Sequence, residues 1–247
     1  EREGLEDAML TRRSAVKWRS WGHGHGLSCC GQQFGTTEGG QIVFVGVYKY
    51  NQTVLEWILD SADIVLLNYG LHYRHDLLGA YKESMSRLFT FLKNMHDKAG
   101  RKKAPRVLFR ETTAQHFQGT GSYTRGAEKM RQCQCTAFSR SVSQQNHVAV
   151  ENRLVADLAG DICDGMIPIV PFYNLTSPRY NLHNEEDRCG GEVRIGAKRG
   201  RRGHGCCDCT HFCYTPQLYD AYFAGVDEAL ELADRHLHDA KAPLHAG

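Results

Sequence analysis

The sequence predicts an α/β fold, a three-layer sandwich built around a mainly parallel β-sheet. From residue 42 onward, short β-branched segments alternate with amphipathic ones. This alternation is typical of βαβ units, in which helices cover both faces of a parallel sheet. Residues 63–68 have a continuously apolar centre, as expected of a strand that is buried on both faces. Active sites in such sheets lie at the carboxyl ends of the strands, so functional residues are expected there.

The predicted elements follow in order along the chain. Strands are expected at residues 42–45, 63–68, 106–110 and 166–170, and helices at residues 53–59, 77–99, 147–163 and 218–233. In the second and fourth helices, apolar residues recur at three- and four-residue intervals and form one stripe. Pro168 indicates that the last strand lies at an edge or has an irregular end.

Composition and charge restrict the class of protein. The 247 residues are 41% hydrophobic and 23% charged, which is typical of a folded domain. The formal net charge is only +2, and no aromatic residues interleave with the basic run at residues 198–202, so no nucleic-acid partner is expected. No apolar run approaches the roughly 20 residues that cross a bilayer. A membrane contact is therefore expected only through an anchor outside these residues.

The two ends of the chain differ in character. Residues 1–40 are predicted to form a helix followed by a glycine-rich loop, and residues 41–240 to form the main domain. The chain begins with Glu1, and its first ten residues look like a helix entered in mid-course, so we expect an N-terminal truncation. Residues 112–146 and 181–207 are predicted loops, and loops of this length are usually functional or mobile.

The cysteine content indicates an oxidising compartment. The chain has ten cysteines, six of them in three tight groups. Two N-glycosylation sequons begin at Asn51 and Asn174. Together these features favour disulfides and a location in the secretory pathway over a reduced protein.

Residues 206–213, with the sequence CCDCTHFC, form the densest group of chemically reactive side chains. Four thiols and an imidazole can bind zinc, although the spacing is not that of a zinc knuckle or ribbon. Alternatively, the cysteines only staple loops, and Asp208 and His211 are incidental neighbours. In a third interpretation, Asp208 fixes the tautomer of His211 and leaves Nε2 free as a general base. The residues themselves leave these three interpretations open.

A second polar group follows the strongest predicted strand. Asn68 stands at the carboxyl end of this strand, and Gly70 permits a tight turn directly after it. An Asn amide in this position can donate a hydrogen bond to the oxyanion of an acyl-transfer intermediate. Such an Asn is also an ordinary helix-cap or turn residue.

Three segments carry a family resemblance: residues 63–73 (DIVLLNYGLHY), 109–117 (FRETTAQHF) and 208–213 (DCTHFC). Together they resemble the PC-esterase or trichome-birefringence-like branch of the SGNH (GDSL-like) hydrolases, over roughly residues 41–225. The resemblance implies an SGNH-like three-layer α/β/α sandwich with disulfide-bearing loops, in the Golgi lumen or outside the cell. It also implies O-acyl (acetyl) esterase or O-acetyltransferase activity on a glycan or polysaccharide. This activity uses an acyl donor and a Ser-His-Asp triad, with no cofactor and no metal.

The resemblance assigns roles by position. His211 is the expected general base and Asp208 the residue that orients it, while Asn68 is an oxyanion donor whose turn Gly70 supports. The candidate substrate contacts are His72, Tyr73, Arg110 and His116. The candidates for the family's disulfides are Cys133, Cys163, Cys189, Cys209 and Cys213.

The chain departs from the family at the nucleophile. The family's serine lies in a Gly-Asp-Ser motif after the first strand, and no Gly-Asp-Ser occurs in these residues. We therefore interpret residues 42–50 as the second strand and expect the nucleophile upstream of Glu1. The alternative is a nucleophile-lacking relative that only binds glycan, through Tyr69, Tyr73 and His116.

Overall fold

The structure is a computed structural model. It describes residues 27–35, 40–47, 50–71, 78–99, 104–119, 121–122, 135–139, 146–183 and 209–239. Contacts along the chain define two compact units, Glu1–Glu56 and Trp57–Gly247. Within the described ranges, no helix is both long enough and apolar enough to span a membrane.

The first unit contains an antiparallel pair of strands, β1 (Leu27–Gly35) and β2 (Gln41–Val47). The strand predicted at residues 42–45 is confirmed, but its interpretation as the second strand of the parallel sheet is wrong. The chain between β1 and β2 is short enough for a hairpin, whereas a parallel pair needs a crossover of about a dozen residues or more. The predicted domain boundary after residue 40 therefore falls between two strands that pair with each other.

Helix α1 (Gln52–Ser61) contains the division between the two units. Asn51 precedes it and accepts a hydrogen bond from the Val54 N–H at 3.2 Å through its side-chain oxygen. This is the ordinary arrangement of a helix N-cap, so the sequon asparagine at this position has a structural role of its own.

The second unit contains a parallel sheet in the order β3 (Ile64–Leu67), β4 (Arg106–Arg110) and β5 (Ile169–Val170). The predicted α/β class with a parallel sheet is confirmed. Strand β5 is shorter than predicted because it begins only after Pro168, whose carbonyl accepts the Phe109 N–H at 3.0 Å. Proline has no N–H to donate to a neighbouring strand.

The helices of this unit are α2 (Leu78–Ala99), α3 (His147–Cys163), α4 (Tyr173–Thr176), a 3-10 helix (Tyr180–Leu182) and α5 (Pro216–Asp239). Phe109 on β4 contacts Phe89 on α2, with 5.8 Å between the ring centroids. The preceding residue, Leu108, packs in a buried cluster with Leu218 on α5. Successive side chains of a strand point to opposite faces, so helices cover both faces of the sheet.

The chain after β4 is buried rather than looped outward. Residues 112–117 are all buried, although we predicted a polar loop from residue 112. The Asn152 side chain of α3 accepts the Thr112 N–H and donates to the Thr112 carbonyl, both at 2.9 Å. The Thr176 hydroxyl accepts the Ala114 N–H at 3.0 Å. Side chains thus satisfy the backbone groups that a neighbouring strand would otherwise bind.

Candidate functional site

Asn68 joins the carboxyl ends of β3 and β4. Its side-chain NH2 donates to the Arg110 carbonyl at 2.9 Å and to the Thr112 hydroxyl oxygen at 3.1 Å. A primary amide has two N–H donors, and both are used here. An oxyanion can therefore receive a hydrogen bond from this amide only if one of the two contacts is released.

Gly70 allows Thr112 to approach the backbone that follows β3. A Cβ at Gly70 would collide with the Thr112 hydroxyl group, and its next contacts would be other atoms of the same side chain. The glycine is required because of this close approach. Gly70 thus lies against a residue of the 109–117 motif, while its support of an oxyanion-donor turn stays a prediction.

Arg110 lies at the end of β4 with its guanidinium carbon 5.3 Å from the centroid of the Phe172 ring. Burial lowers the pKa of Arg110, and the nearby Tyr222 and Tyr219 act in the opposite direction. Arginine remains charged in proteins, so its cation stands among aromatic rings at the carboxyl edge of the sheet.

His116 and His183 form a buried pair of imidazole rings. His116 Nδ1 and His183 Nε2 are 2.6 Å apart, and the two residues are 0% and 1% exposed. The other ring nitrogen of His116 is 2.8 Å from the Ser177 carbonyl oxygen. His183 Nδ1 is 3.1 Å from the His211 carbonyl oxygen. The pair therefore connects the segments after β4 and β5 to the backbone of the candidate base.

The protonation of the pair follows from these contacts. Burial lowers the pKa of His116, with the Ser177 carbonyl acting in the opposite direction, so a neutral His116 is favoured. Because a carbonyl only accepts, we assign the His116 proton to Nε2, leaving Nδ1 to accept from His183 Nε2–H. His183 Nδ1 then donates to the His211 carbonyl only when the His183 ring is charged.

His211 lies in a loop, residues 209–213, that is fixed along its backbone. Cys209 forms a disulfide with Cys135, and Cys213 is also disulfide-bonded. The Cys209 carbonyl accepts the His116 N–H at 2.9 Å, and the Cys213 N–H donates to the Leu182 carbonyl at 2.7 Å. His211 is exposed within this loop. The backbone is therefore held on both sides of an imidazole that solvent can reach.

Exposure separates the predicted site residues. Asn68, Gly70 and Arg110 lie together at the ends of β3 and β4. His116 is connected to the backbone of His211 through the His183 ring. Because His116 is completely buried, the prediction that it lines an open cleft is wrong. Five of the predicted residues lie outside the described residues: His72, Tyr73, Cys133, Cys189 and Asp208.

Cys163 corrects one further prediction. It is a free, buried thiol, although we named it as a disulfide candidate. Its sulfur lies 3.5 Å from the Phe89 carbonyl oxygen, between α3 and α2, and burial raises its pKa to about 11. A neutral thiol behaves as a small apolar side chain and packs well in such a core.

Two of the four cysteines that the zinc interpretation requires are not available as thiolates. Cys209 and Cys213 are both oxidised, and a disulfide sulfur is not the thiolate that binds zinc. In the part of the chain that the structure describes, no group of three His, Cys, Asp or Glu side chains could hold a metal ion.

The sequence reasoning overlooked one Ser–His contact. The Ser122 hydroxyl oxygen lies 2.5 Å from His147 Nδ1 and accepts a hydrogen bond from the Asn146 side chain at 3.2 Å. Asn146 is also the N-cap of α3 and accepts the Val148 N–H at 2.9 Å. Ser122 is 5% exposed, so the contact stabilises the start of α3 rather than presenting a hydroxyl to solvent. No local sequence pattern marks this contact, because Ser122 and His147 are 25 positions apart.

No protein-family model matches this chain, and no curated protein matches it significantly. The family resemblance therefore depends on the three motif segments alone.

Proposed function

We propose that the protein is an SGNH-like O-acyl (acetyl) esterase or O-acetyltransferase that acts on a glycan. The observation that supports this most strongly is the loop of residues 209–213. Its backbone is held by disulfides, by a hydrogen bond from His116 after β4 and by one that it donates to Leu182 after β5, while His211 remains exposed. A general base needs both properties, since it must be accessible to substrate and fixed in position.

In the proposed reaction, His211 accepts the proton of a serine hydroxyl as the serine oxygen attacks the acyl carbonyl carbon. The tetrahedral intermediate collapses to an acyl-enzyme when the bond to the donor oxygen breaks, and His211 returns the proton to that oxygen. Water or a sugar hydroxyl then attacks the acyl-enzyme, with His211 again acting first as base and then as acid. Asp208 orients the His211 ring, and Asn68 donates to the oxyanion in place of its longer hydrogen bond, the one to the Thr112 hydroxyl oxygen.

The serine of this proposal is not supplied by a Gly-Asp-Ser in these residues. The test therefore compares this chain with a version extended upstream along its own coding sequence. Both are treated with a fluorophosphonate, which labels activated serines, and both are assayed for hydrolysis of p-nitrophenyl acetate. We expect labelling of one serine in the extended chain only, at a residue upstream of Glu1.

Two variants of the extended chain complete the test. His211→Ala is expected to lower turnover by about 10³-fold or more with unchanged thermal unfolding. His236→Ala, which removes another exposed histidine, is the matched control and leaves turnover unchanged. Labelling of neither chain contradicts the proposal and favours a catalytically inactive glycan-binding relative. Labelling of Ser122 in the present chain contradicts the assignment of the serine to an upstream segment.

A further inference from the structure

The buried pair of His116 and His183 lies in the middle of a series of three polar contacts. The series begins at the Ser177 carbonyl, passes through both imidazole rings and ends at the His211 carbonyl. The successive distances are 2.8, 2.6 and 3.1 Å, and the two histidines are 0% and 1% exposed. Because the rings are buried, a contact that lacks a proton has little access to water as a substitute.

A count of protons shows what the three contacts require. A carbonyl oxygen only accepts, so each end of the series needs a ring N–H, and the contact between the two rings needs one more. Three protons are therefore required, whereas two neutral imidazoles carry one each. The neutral pair is one proton short, and a pair with a single positive charge has the required number.

The distances indicate which contact the neutral pair lacks. With both rings protonated at Nε2, the two shorter contacts are satisfied, and His183 Nδ1 faces the His211 carbonyl oxygen at 3.1 Å without a proton between them. Two acceptors that face each other in a buried site cost free energy. The additional proton therefore belongs on His183 Nδ1, where it donates to the His211 carbonyl.

The rings around the pair favour one positive charge and no more. The Phe138 ring stacks on His116 with 4.5 Å between centroids, and the Phe212 ring centroid lies 4.1 Å from that of His183. Aromatic rings attract cations, so they offset part of the cost of burying an imidazolium. A second charge is disfavoured, because two imidazolium rings in contact repel each other and leave no acceptor between them.

The titratable side chains on the neighbouring elements are not carboxylates. The Tyr180 ring centroid is 6.5 Å from that of His116, and Arg179 donates to the Leu175 carbonyl at 3.0 Å. The imidazole of His211 is exposed, and only its carbonyl belongs to the series. Burial lowers the pKa of His116, and the Ser177 carbonyl acts in the opposite direction. Hydrogen bonds thus hold the additional proton against the effect of burial, and the proton is released as pH rises.

We propose that His183 positions the loop of His211 by carrying the additional proton of the buried histidine pair. The inference rests on the proposed function for the role of His211, and it names a residue that lies in none of the three motif segments. Disulfides fix the two ends of the loop, at Cys209 and Cys213, whereas His183 contacts the carbonyl of the residue at its centre. The contact is present while the pair is charged and is lost as pH rises through its titration.

The first measurement counts the protons in the unchanged chain labelled with 15N at histidine. Long-range 1H–15N correlation spectra between pH 5 and pH 9 report the protonation of each ring nitrogen, and spectra of His116→Gln and His183→Gln assign the signals. At the lower pH we expect three ring protons on the pair, with both nitrogens of His183 protonated and His116 protonated at Nε2 alone. Two protons at every pH, or four at the lower pH, overturn the proposal.

The second measurement is hydrogen exchange of the backbone amides of residues 209–213. It is expressed as protection factors, so that the intrinsic effect of pH on exchange cancels. Protection should fall about tenfold as the pair loses its proton, because a hydrogen bond from a charged donor is lost. His183→Gln keeps a donor toward His116 but cannot carry the charge, so it should show the lower protection at every pH. His236→Gln, which replaces an exposed histidine on α5, is the matched control and keeps the pH dependence.

The outcomes separate the positioning role from the proposed function. Loop protection that does not follow the protonation of the pair, or that is unchanged in His183→Gln, overturns the role of His183. If His183→Gln does not fold, the pH series of the unchanged protein decides. Neither measurement uses an acyl substrate or a serine, so fluorophosphonate labelling tests the esterase or transferase assignment independently.

Discussion

Glu151 should make the stability of the protein depend on pH. Its carboxyl group lies on the buried side of α3, only 2% of the residue is exposed, and its Oε2 has no hydrogen-bond partner among the described residues. Burial raises the pKa of Glu151 from its ordinary 4.5 to about 8. At neutral pH the folded protein therefore holds a proton that the unfolded chain has lost.

The sign of the effect follows from proton linkage. Below pH 4.5 both states are protonated and the contribution of the neutral carboxyl to folding is fully present. As pH rises toward 8, only the unfolded state ionises, so the free energy of unfolding falls by about 1.4 kcal/mol per pH unit. Above about pH 8 both states are ionised and the contribution is lost. At pH 7 the loss amounts to about 3 kcal/mol.

Glu151→Gln removes the titration and keeps the shape of the side chain. The extra amide donor of glutamine changes stability by the same amount at every pH, so the informative quantity is the change with pH. Between pH 5 and pH 7 the stability of the variant relative to the natural protein is expected to rise by about 2.5 kcal/mol. Urea unfolding at several pH values under non-reducing conditions measures this difference.

A same-helix control tests the role of burial. Asp157→Asn, which removes an exposed carboxyl from α3, is the matched control. If the stability difference between Glu151→Gln and the unchanged protein does not vary between pH 5 and pH 7, the buried carboxyl is not protonated in the folded state, and its burial does not have the expected effect.

Two further predictions concern the framework of the site. Gly70→Ala should lower the free energy of unfolding by about 2 kcal/mol, because the new Cβ collides with the Thr112 hydroxyl. In a Thr112→Ala background the loss of stability should be smaller. If urea unfolding shows the same loss in both backgrounds, this contact is contradicted. Replacing Cys135 and Cys209 together by alanine should lower the free energy of unfolding by about 2–4 kcal/mol, since this disulfide joins residues 74 positions apart. A midpoint of urea unfolding that does not change shows that the disulfide contributes nothing to stability.

The sequence predicts those parts of the fold that depend on local patterns. The helix at residues 77–99 was found by periodicity. This helix and the one predicted at residues 147–163 lie within one residue of α2 and α3. The sheet follows from the alternation of apolar segments. The antiparallel pairing of β2 was missed because residues 42–45 have the pattern of a strand but do not indicate which sheet the strand joins. That is determined by β1, which pairs with β2.

Burial of the segment after β4 could not be predicted from its own residues. Its polar composition predicts a loop, but its backbone groups bind Asn152 and Thr176, which are 40 and 62 positions further along the chain. The His116–His183 pair spans 67 positions. No local pattern marks such partners, since each is ordinary in its own segment.

The same contacts show that Thr112 and His116, in the 109–117 segment, are buried parts of the framework around the candidate site. Thr112 contacts Asn68. His116 contacts the loop of His211 through its own backbone N–H, which donates to the Cys209 carbonyl, and through His183, whose Nδ1 is 3.1 Å from the His211 carbonyl oxygen. Buried His116 therefore helps to hold the backbone of a loop in which His211 is exposed. This arrangement supports the proposed function, because a general base needs a fixed backbone beneath an accessible ring.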